Sequence, residues 1–440
     1  MDRKGRRMYA AEGRSMPVFG CIADDFTGAG DAASFLAKGG LSVQLFNGIS
    51  SGDGEKSPGG DPQAVVIALK SRTAPKEEAV RDSLAAAEHL LASGVKQIYF
   101  KYCSTFDSTP EGNIGPVADA LMERMGASCS VLCPSLPVNG RTVRSGCLYV
   151  NGVPLDETHM KDHPLTPMRD HDLGRLMDPQ SRFASVRLSR EELKRLAEEG
   201  RTPCTGSGKP CYFIPDYETD EDGTLIAEVF GKMPFLTGGS GLLAHLAARL
   251  GEENGGSRVP PDHTSGRAVL FAGSCSAATL RQIECYRAAG HPCVRIDPER
   301  VLDGTQTCEE LWSFIKERTS EHESVLLYSS DTPENVRRIQ RYGAEKVSEA
   351  LEGLMAALAV RAAGEGFRRI ISAGGETSGA ITAALGFSAF WIGGDIAPGV
   401  PVMIPVSSPD IRVVLKSGNF GQEDFFARAL SMTAGPAFDL

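Results

Sequence analysis

The segment CIADDFTGAGD, residues 21–31, places two carboxylates, Asp24 and Asp25, after an apolar run and just before Thr27, Gly28 and Gly30 turn the chain into a helix. Carboxylates at the exit of a buried strand can take a proton from a hydroxyl, accept hydrogen bonds from a polyol, or hold Mg²⁺. One Asp suffices to cap a helix, so the second points to chemistry, and spacing leaves either as the base. A second group, KYCSTFDSTPEGNIGP at 101–116, sends Lys101 out of a strand end and follows it with hydroxyls, Asp107 and glycines. LKSRT, residues 69–73, is a similar exit carrying Lys70 and Arg72. Strand-end cations are often merely solvated, but two such exits together suit recognition of a carboxylate, for which the arginine fork is well matched. PSLPVNGRTVRSG adds Asn139 and Arg141, and HPLTPM adds His163 and Thr166 on a proline-fixed loop.

A different chemistry is written in the second half of the chain. In SAGGETSGAI, residues 372–381, Gly374 and Gly375 permit close backbone approach and positive φ, and Glu376, Thr377 and Ser378 open a helix. Strand, glycine turn and helix N-terminus together make a phosphate cradle from backbone N–H groups. AGSCSAAT (272–279), with Ser274 and Ser276, repeats the design, and LKSGNFGQEDFF (415–426), with Gly418, supplies a third glycine-rich exit. Three such exits in one half of the chain favour nucleotide phosphate binding. Other resemblances fail on inspection. TGSGKP has Pro203 where a P-loop needs its first glycine, and Pro210 after Lys209 where Ser or Thr belongs. His159 and His163 have the spacing of a metal pair but lack the general-base Glu of HExxH, and no GxSxG elbow is present.

The elements that must position these groups follow an alternating pattern. VFGCIA, SVQLFN, AVVIAL and QIYFKY read as buried strands, separated by the helical patterns AGDAASFLAKGG and APKEEAVRDSLAAAEHLLASG. Continuous apolar strands between amphipathic helices indicate an α/β fold with a mostly parallel sheet covered on both faces. Residues 251–266 are rich in Gly, Pro, Ser and charge, the chemistry of a linker. The alternation then resumes with AVLFAGS, CVRI, SVLLYSS and RRIISAGG. The expected division is a flexible tail at 1–15, one domain at 16–250, the linker, and a second domain at 267–440, each domain a mostly parallel sheet flanked by helices, with the active site in the cleft between them. Met16 is an alternative start.

Composition narrows the classes. The 440 residues carry 46 Lys plus Arg against 56 Asp plus Glu, a formal charge of −10. That excludes a globally basic protein that coats nucleic acid or anionic membrane. No apolar run reaches the length of a membrane span and the basic N-terminus lacks a signal's apolar stretch, so the expected location is the cytoplasm. Eleven cysteines in apolar segments fit reduced, buried thiols.

Taken in order, ADDFTGAGD, KYCSTFDST with GNIGP, PVNGR, HPLTPM, GGETSGA and LKSGNFG resemble the four-carbon acid sugar kinase family over nearly the whole chain, and KYCSTFDST resembles its 3-oxo-tetronate branch. The resemblance implies a sugar-acid domain followed by a nucleotide domain, and ATP-dependent phosphorylation of the terminal hydroxyl of a four-carbon sugar acid. It implies ATP contacts at Ser274 or Ser276, Gly374 through Thr377, and Gly418, with Mg²⁺ bridging phosphates. Glu376 replaces an Asp common in relatives and keeps the carboxylate. Arg72, Lys101 and Arg141 are expected to anchor the substrate carboxylate, with Asp107, Asn139 and His163 lining the same pocket. The expected partners are the sugar acid, ATP and a second copy of the chain, with neither nucleic acid nor membrane. A threonate or erythronate kinase of the same family, and a non-catalytic nucleotide or sugar-acid sensor, are the alternatives.

Overall fold

The computed structural model describes residues 17–49, 61–162, 166–203, 209–254 and 259–435. The tail expected at 1–15 lies outside them. In the N-terminal unit eight parallel strands run in the order Val43–Asn47, Ala64–Ala68, Phe19–Ala23, Gln97–Lys101, Phe235–Gly238, Cys129–Cys133, Cys211–Pro215, Ala184–Leu188. The central strands are buried along their whole length, which is why they read as unbroken apolar runs rather than alternating ones. Register decides function here: Ala23 is level with both Ala68 and Lys101, so the carboxyl ends of three strands open at one edge.

The C-terminal unit repeats the scheme. Cys293–Arg295, Ser324–Tyr328, Ala268–Ala272, Arg369–Ala373 and Arg412–Lys416 are parallel neighbours. Ala272 is level with Ala373, and Ala373 with Lys416, so the three glycine-rich exits also share one edge.

The two units were expected to hold separate sheets; they share one. Strands Val400–Pro405 and Ala389–Ala397 form an antiparallel hairpin on the C-terminal sheet, and Ala389–Ala397 pairs antiparallel with Val43–Asn47. A 15-stranded sheet results. Periodicity marks a strand but not its partner, which tertiary context selects. Helix Phe26–Lys38 packs beside this joint, and Ser34 Oγ donates to Asp395 Oδ1 at 2.5 Å. The interval 251–266 is less of a linker than its composition implied. Helix Gly241–Asn254 extends into it, the Gly394 N–H donates to both Asp262 oxygens at 3.1 and 3.0 Å, and Arg412 Nε donates to the Pro261 carbonyl at 2.9 Å. Among the described residues no helix is long and apolar enough to cross a membrane.

Candidate active site

The strand Phe19–Ala23 delivers Asp24 and Asp25 to the edge, and their roles separate at once. Asp24 is 4% exposed and closes both oxygens on Arg72, whose Nε and Nη2 donate at 2.9 and 2.8 Å. Its carbonyl accepts the Ser71 and Arg72 N–H groups, and Asn113 Nδ2 donates to the Ser71 and Ala74 carbonyls at 2.8 Å. The LKSRT exit is thus held by backbone and side chain together. Arg72, expected as a free fork for substrate, is instead committed to Asp24, with Asp25 Oδ1 a further 3.0 Å contact.

Asp25 faces a cavity of about 800 Å³ that both units line. As N-cap of helix Phe26–Lys38 it accepts the Gly28 N–H at 2.8 Å. Burial pushes its carboxyl above the ordinary carboxylate range, against the pull of Arg72. Lys101, 2% exposed, lines the same cavity and donates to the Tyr102 carbonyl at 2.9 Å. Its ammonium lies 4.0 Å from Asp31 Oδ2.

Arg141 and Asn139 also reach the cavity, carried there by the turn Pro137–Asn139 and the strand Arg141–Arg144. Arg141 Nη1 donates to the Asn139 carbonyl at 2.5 Å, while its buried Nε has no hydrogen-bond partner. Among the described residues no carboxylate closes this fork. Asp107 is not among the lining residues; it accepts from Thr105 Oγ1 at 2.7 Å, and Thr105 with Ser104 lines the wall instead. Phe106 and Asp107 sit at φ 66° and 42°, a left-handed pair of non-glycine residues. The buried Phe106 ring, edge-on to Tyr102 at 5.9 Å, holds that turn in place. His163 lies outside the described residues.

The C-terminal wall is the loop Ser417–Gln422, with Ala397 and Pro398 of the hairpin turn. Behind it the three glycine-rich exits interlock. Ser276 caps helix Ala277–Ala288 and its Oγ donates to the Gly418 carbonyl at 2.5 Å. Ser274 Oγ accepts the Ser276 N–H at 3.2 Å, and a Cβ on Gly418 would fall 2.1 Å from that oxygen. Gly374 has φ 137°, donates its N–H to the Lys416 carbonyl at 2.9 Å, and would bring a Cβ within 3.0 Å of the Ser274 nitrogen. Gly375 corrects an expectation: it is the first helical residue, has no positive φ, and a Cβ there would meet nothing within 4 Å. Gly374 alone carries the conformational demand. Thr377 is buried, with Oγ1 2.1 Å from the position of a Cβ on Gly273, and Glu376 is exposed in the first turn.

Sequence reasoning missed several participants. Asp31 lines the cavity at 7% exposure; Ser240 Oγ donates to its Oδ2, and its Oδ1 has no partner. Burial raises its pKa, opposed by Lys101. A lone carboxylate inside the apolar helix face AGDAASF was the available signal. Asn151, Asn419 and Gln422 also line the cavity; Asn419 and Gln422 lie in the glycine-rich exit LKSGNFGQEDFF, whereas nothing in its local sequence marks Asn151. Lys416, at the end of its strand and just before the third glycine-rich exit, is 1% exposed, a burial that its place beside a loop does not announce.

Two family models account for most of the chain: one described as a sugar-binding N-terminal domain matches residues 19–246, and one described as a nucleotide-binding C-terminal domain matches 269–426. The chain belongs to the four-carbon acid sugar kinase family. It is 40% identical to the 3-oxo-tetronate kinase of Brucella melitensis biotype 1 over 426 residues, covering 93% of this chain and 94% of that one. It is 42% identical to the 3-oxo-tetronate kinase of Actinobacillus succinogenes, covering 94% and 99%. The crystal structure of Haemophilus influenzae protein HI1011 superposes with a TM-score of 0.79 at 40% identity, covering 94% and 99%. In this family member the sugar-binding match contains Asp25, Lys101 and Arg141, and the nucleotide-binding match contains all three glycine-rich exits.

Proposed function

We propose that this kinase transfers the γ-phosphoryl group of ATP to the C4 hydroxyl of 3-oxo-tetronate, giving 3-oxo-tetronate 4-phosphate. One observation carries the reading: a single cavity is lined on one side by Asp25, Lys101 and Arg141 and on the other by the Ser417–Gln422 loop that continues from the glycine cradle. The names of the relatives supply the four-carbon keto acid.

Phosphoryl transfer demands positioning and charge neutralisation more than covalent chemistry. Arg141, whose fork no carboxylate closes, anchors the substrate carboxylate, and Lys101 adds a fixed charge beside it. Asp25 orients the C4 hydroxyl and accepts its proton, whereas Asp24 is withheld by Arg72 and serves to fix the strand exit. On the nucleotide side Gly374, the first-turn N–H groups of helix Gly375–Ala384, Ser274 and Gly418 form the polyphosphate cradle, with Ser276 bracing it. Among the described residues no cluster of three His, Cys, Asp or Glu forms a dedicated metal site. Mg²⁺ is typically held by substrate phosphates with one or two carboxylates, and Glu376, exposed in the first turn of helix Gly375–Ala384, would be the carboxylate at the cradle. The ion would neutralise the transferring phosphates. The buried cysteines Cys21, Cys133 and Cys211 are free thiols, which supports a reducing, cytoplasmic setting.

ADP release, followed by a coupled assay across 3-oxo-tetronate, threonate and erythronate, with the phosphorylated carbon located by phosphorus–proton NMR, tests the reading. Preference for the keto acid with phosphate on C4 is expected. Equal or greater turnover of threonate or erythronate would transfer the assignment to that branch, and ATP binding without turnover of any would leave a sensor.

A further inference from the structure

At the end of strand Arg412–Lys416 the Lys416 ammonium is buried, and every bond it makes is to a neutral acceptor. It donates to Thr279 Oγ1 at 2.8 Å, to the Gly418 carbonyl at 3.0 Å and, longer, to the Ser417 carbonyl at 3.4 Å. The Phe425 ring centroid lies 5.6 Å away. On the elements packed against this end of the strand, the charged side chains are Arg281, Glu284 and Arg287 of helix Ala277–Ala288, Glu376 of helix Gly375–Ala384, and Glu423, Asp424 and Arg428 at helix Phe425–Thr433; Arg281 pairs with Glu423 at 3.3 Å and Arg287 with Glu284 at 3.8 Å. None of them forms an ion pair with Lys416. A buried charge with no countercharge is costly, and here it stands one residue beneath the loop that forms the cradle. The Gly418 carbonyl receives Lys416 Nζ, Ser276 Oγ and Thr279 Oγ1 together. The ammonium therefore fixes the loop and directs an unbalanced positive potential at whatever the loop holds.

We propose that Lys416 is the countercharge for the nucleotide polyphosphate, a positioning residue beneath the Ser417–Gly418 loop, and that nucleotide binding draws a proton onto it. The inference rests on the kinase reading above and deepens it. Burial pushes the Lys416 ammonium down to about 8, so near that pH the side chain is partly neutral. A bound polyphosphate favours the charged form and returns it toward the ordinary lysine value near ~10.4. The sign follows: binding takes up protons, so affinity is highest where Lys416 is already charged and falls as pH rises through its free-state pKa.

Isothermal titration of Mg·ATP into the full chain at pH 8, in buffers of differing ionisation enthalpy, should show uptake of roughly half a proton. The Kd should rise about tenfold between pH 7 and pH 9. Lys416→Met should bind more weakly at pH 7 and lose that pH dependence. Lys416→Arg, which does not titrate in this range, should be flat to pH 9. Cys275, exposed on the Ser274–Ser276 loop, is a thiol at the cradle to control, and Cys275→Ser should keep the uptake. ATP binding by the unaltered chain with no proton uptake would overturn the role of Lys416 while leaving the kinase intact, even if neither Lys416 variant folds. Uptake that survives in Lys416→Met, or disappears in Cys275→Ser, would overturn it equally. Failure of the unaltered chain to bind ATP would overturn the kinase reading itself, and this inference with it.

Discussion

Replacing Asp25 and Asp24 separately with Asn should produce opposite phenotypes. In Asp25→Asn the amide keeps the size of the side chain and still accepts the Gly28 N–H, now made at 2.8 Å. Asn is as good an N-cap as Asp, so the start of helix Phe26–Lys38 survives, and Arg72 keeps both bonds to Asp24. Stability should change little. What disappears is the ability to accept a proton beside the cavity, and general-base contributions are about 10²–10⁴-fold. The turnover number should fall within that range while the KM for the sugar acid moves modestly. Asp24→Asn leaves the cavity wall untouched but takes the charge from the partner of a half-buried arginine. Breaking a fully buried pair costs about 3–5 kcal/mol; the partial exposure of Arg72, the amide oxygen that remains and the Asp25 contact at 3.0 Å place this case at the lower end. At about 2–4 °C per kcal/mol for a unit of this size, the Tm should drop roughly 6–12 °C. Scanning calorimetry and steady-state kinetics at saturating ATP, on both variants, measure both quantities. Loss of turnover in a thermally unaltered Asp24→Asn would refute the division of roles. So would an Asp25→Asn enzyme within tenfold of the parent.

Gly375→Ala should leave Tm unchanged, since nothing lies within 4 Å of the new Cβ, yet weaken ATP binding by filling the first turn of the cradle. Gly374→Ala, forced to φ 137° and against the Ser274 nitrogen, should lower Tm as well, and calorimetry with titration separates the two. Arg141→Ala should raise the KM for the sugar acid at least tenfold with ATP affinity intact; an equal loss of ATP affinity would contradict the assignment of sides. Because the Asp25 carboxyl is pushed above the usual carboxylate range, protonation removes the acceptor as pH falls. The acid limb of kcat should therefore lie above the ordinary Asp value near ~3.9, and a limb at or below that value would argue against Asp25 as base.

The α/β alternation was legible because each central strand is apolar throughout. VFGCIA became Phe19–Ala23 and AVLFAGS became Ala268–Ala272. Motifs at strand exits could be read because level register turns sequence position into spatial position: Asp25, Lys101 and the glycine exits all emerge where a strand stops. Pairwise commitments could not be read. Arg72 and Arg141 look alike in one dimension, and only geometry shows that the first is closed on Asp24 while the second is not. Nor does any local pattern announce that Asp31 approaches Lys101 across 70 residues of chain, or that AFWIGGDIA joins one unit to the other.

That joint restricts how the molecule can be divided. Phe390 is opposite Leu45 and Trp391 opposite Gln44, and the Asn47 N–H donates to the Ser388 carbonyl at 2.8 Å. A chain severed within 255–258 would strip both halves of this pairing, leaving two raw sheet margins with rows of unsatisfied N–H and C=O groups. Such margins recruit other strands, including copies of themselves. The halves made separately should precipitate or stick to themselves, whereas the halves made together should find each other. The sugar-acid and nucleotide units are in this sense not modules that can be exchanged one at a time: any graft must carry a matching seam.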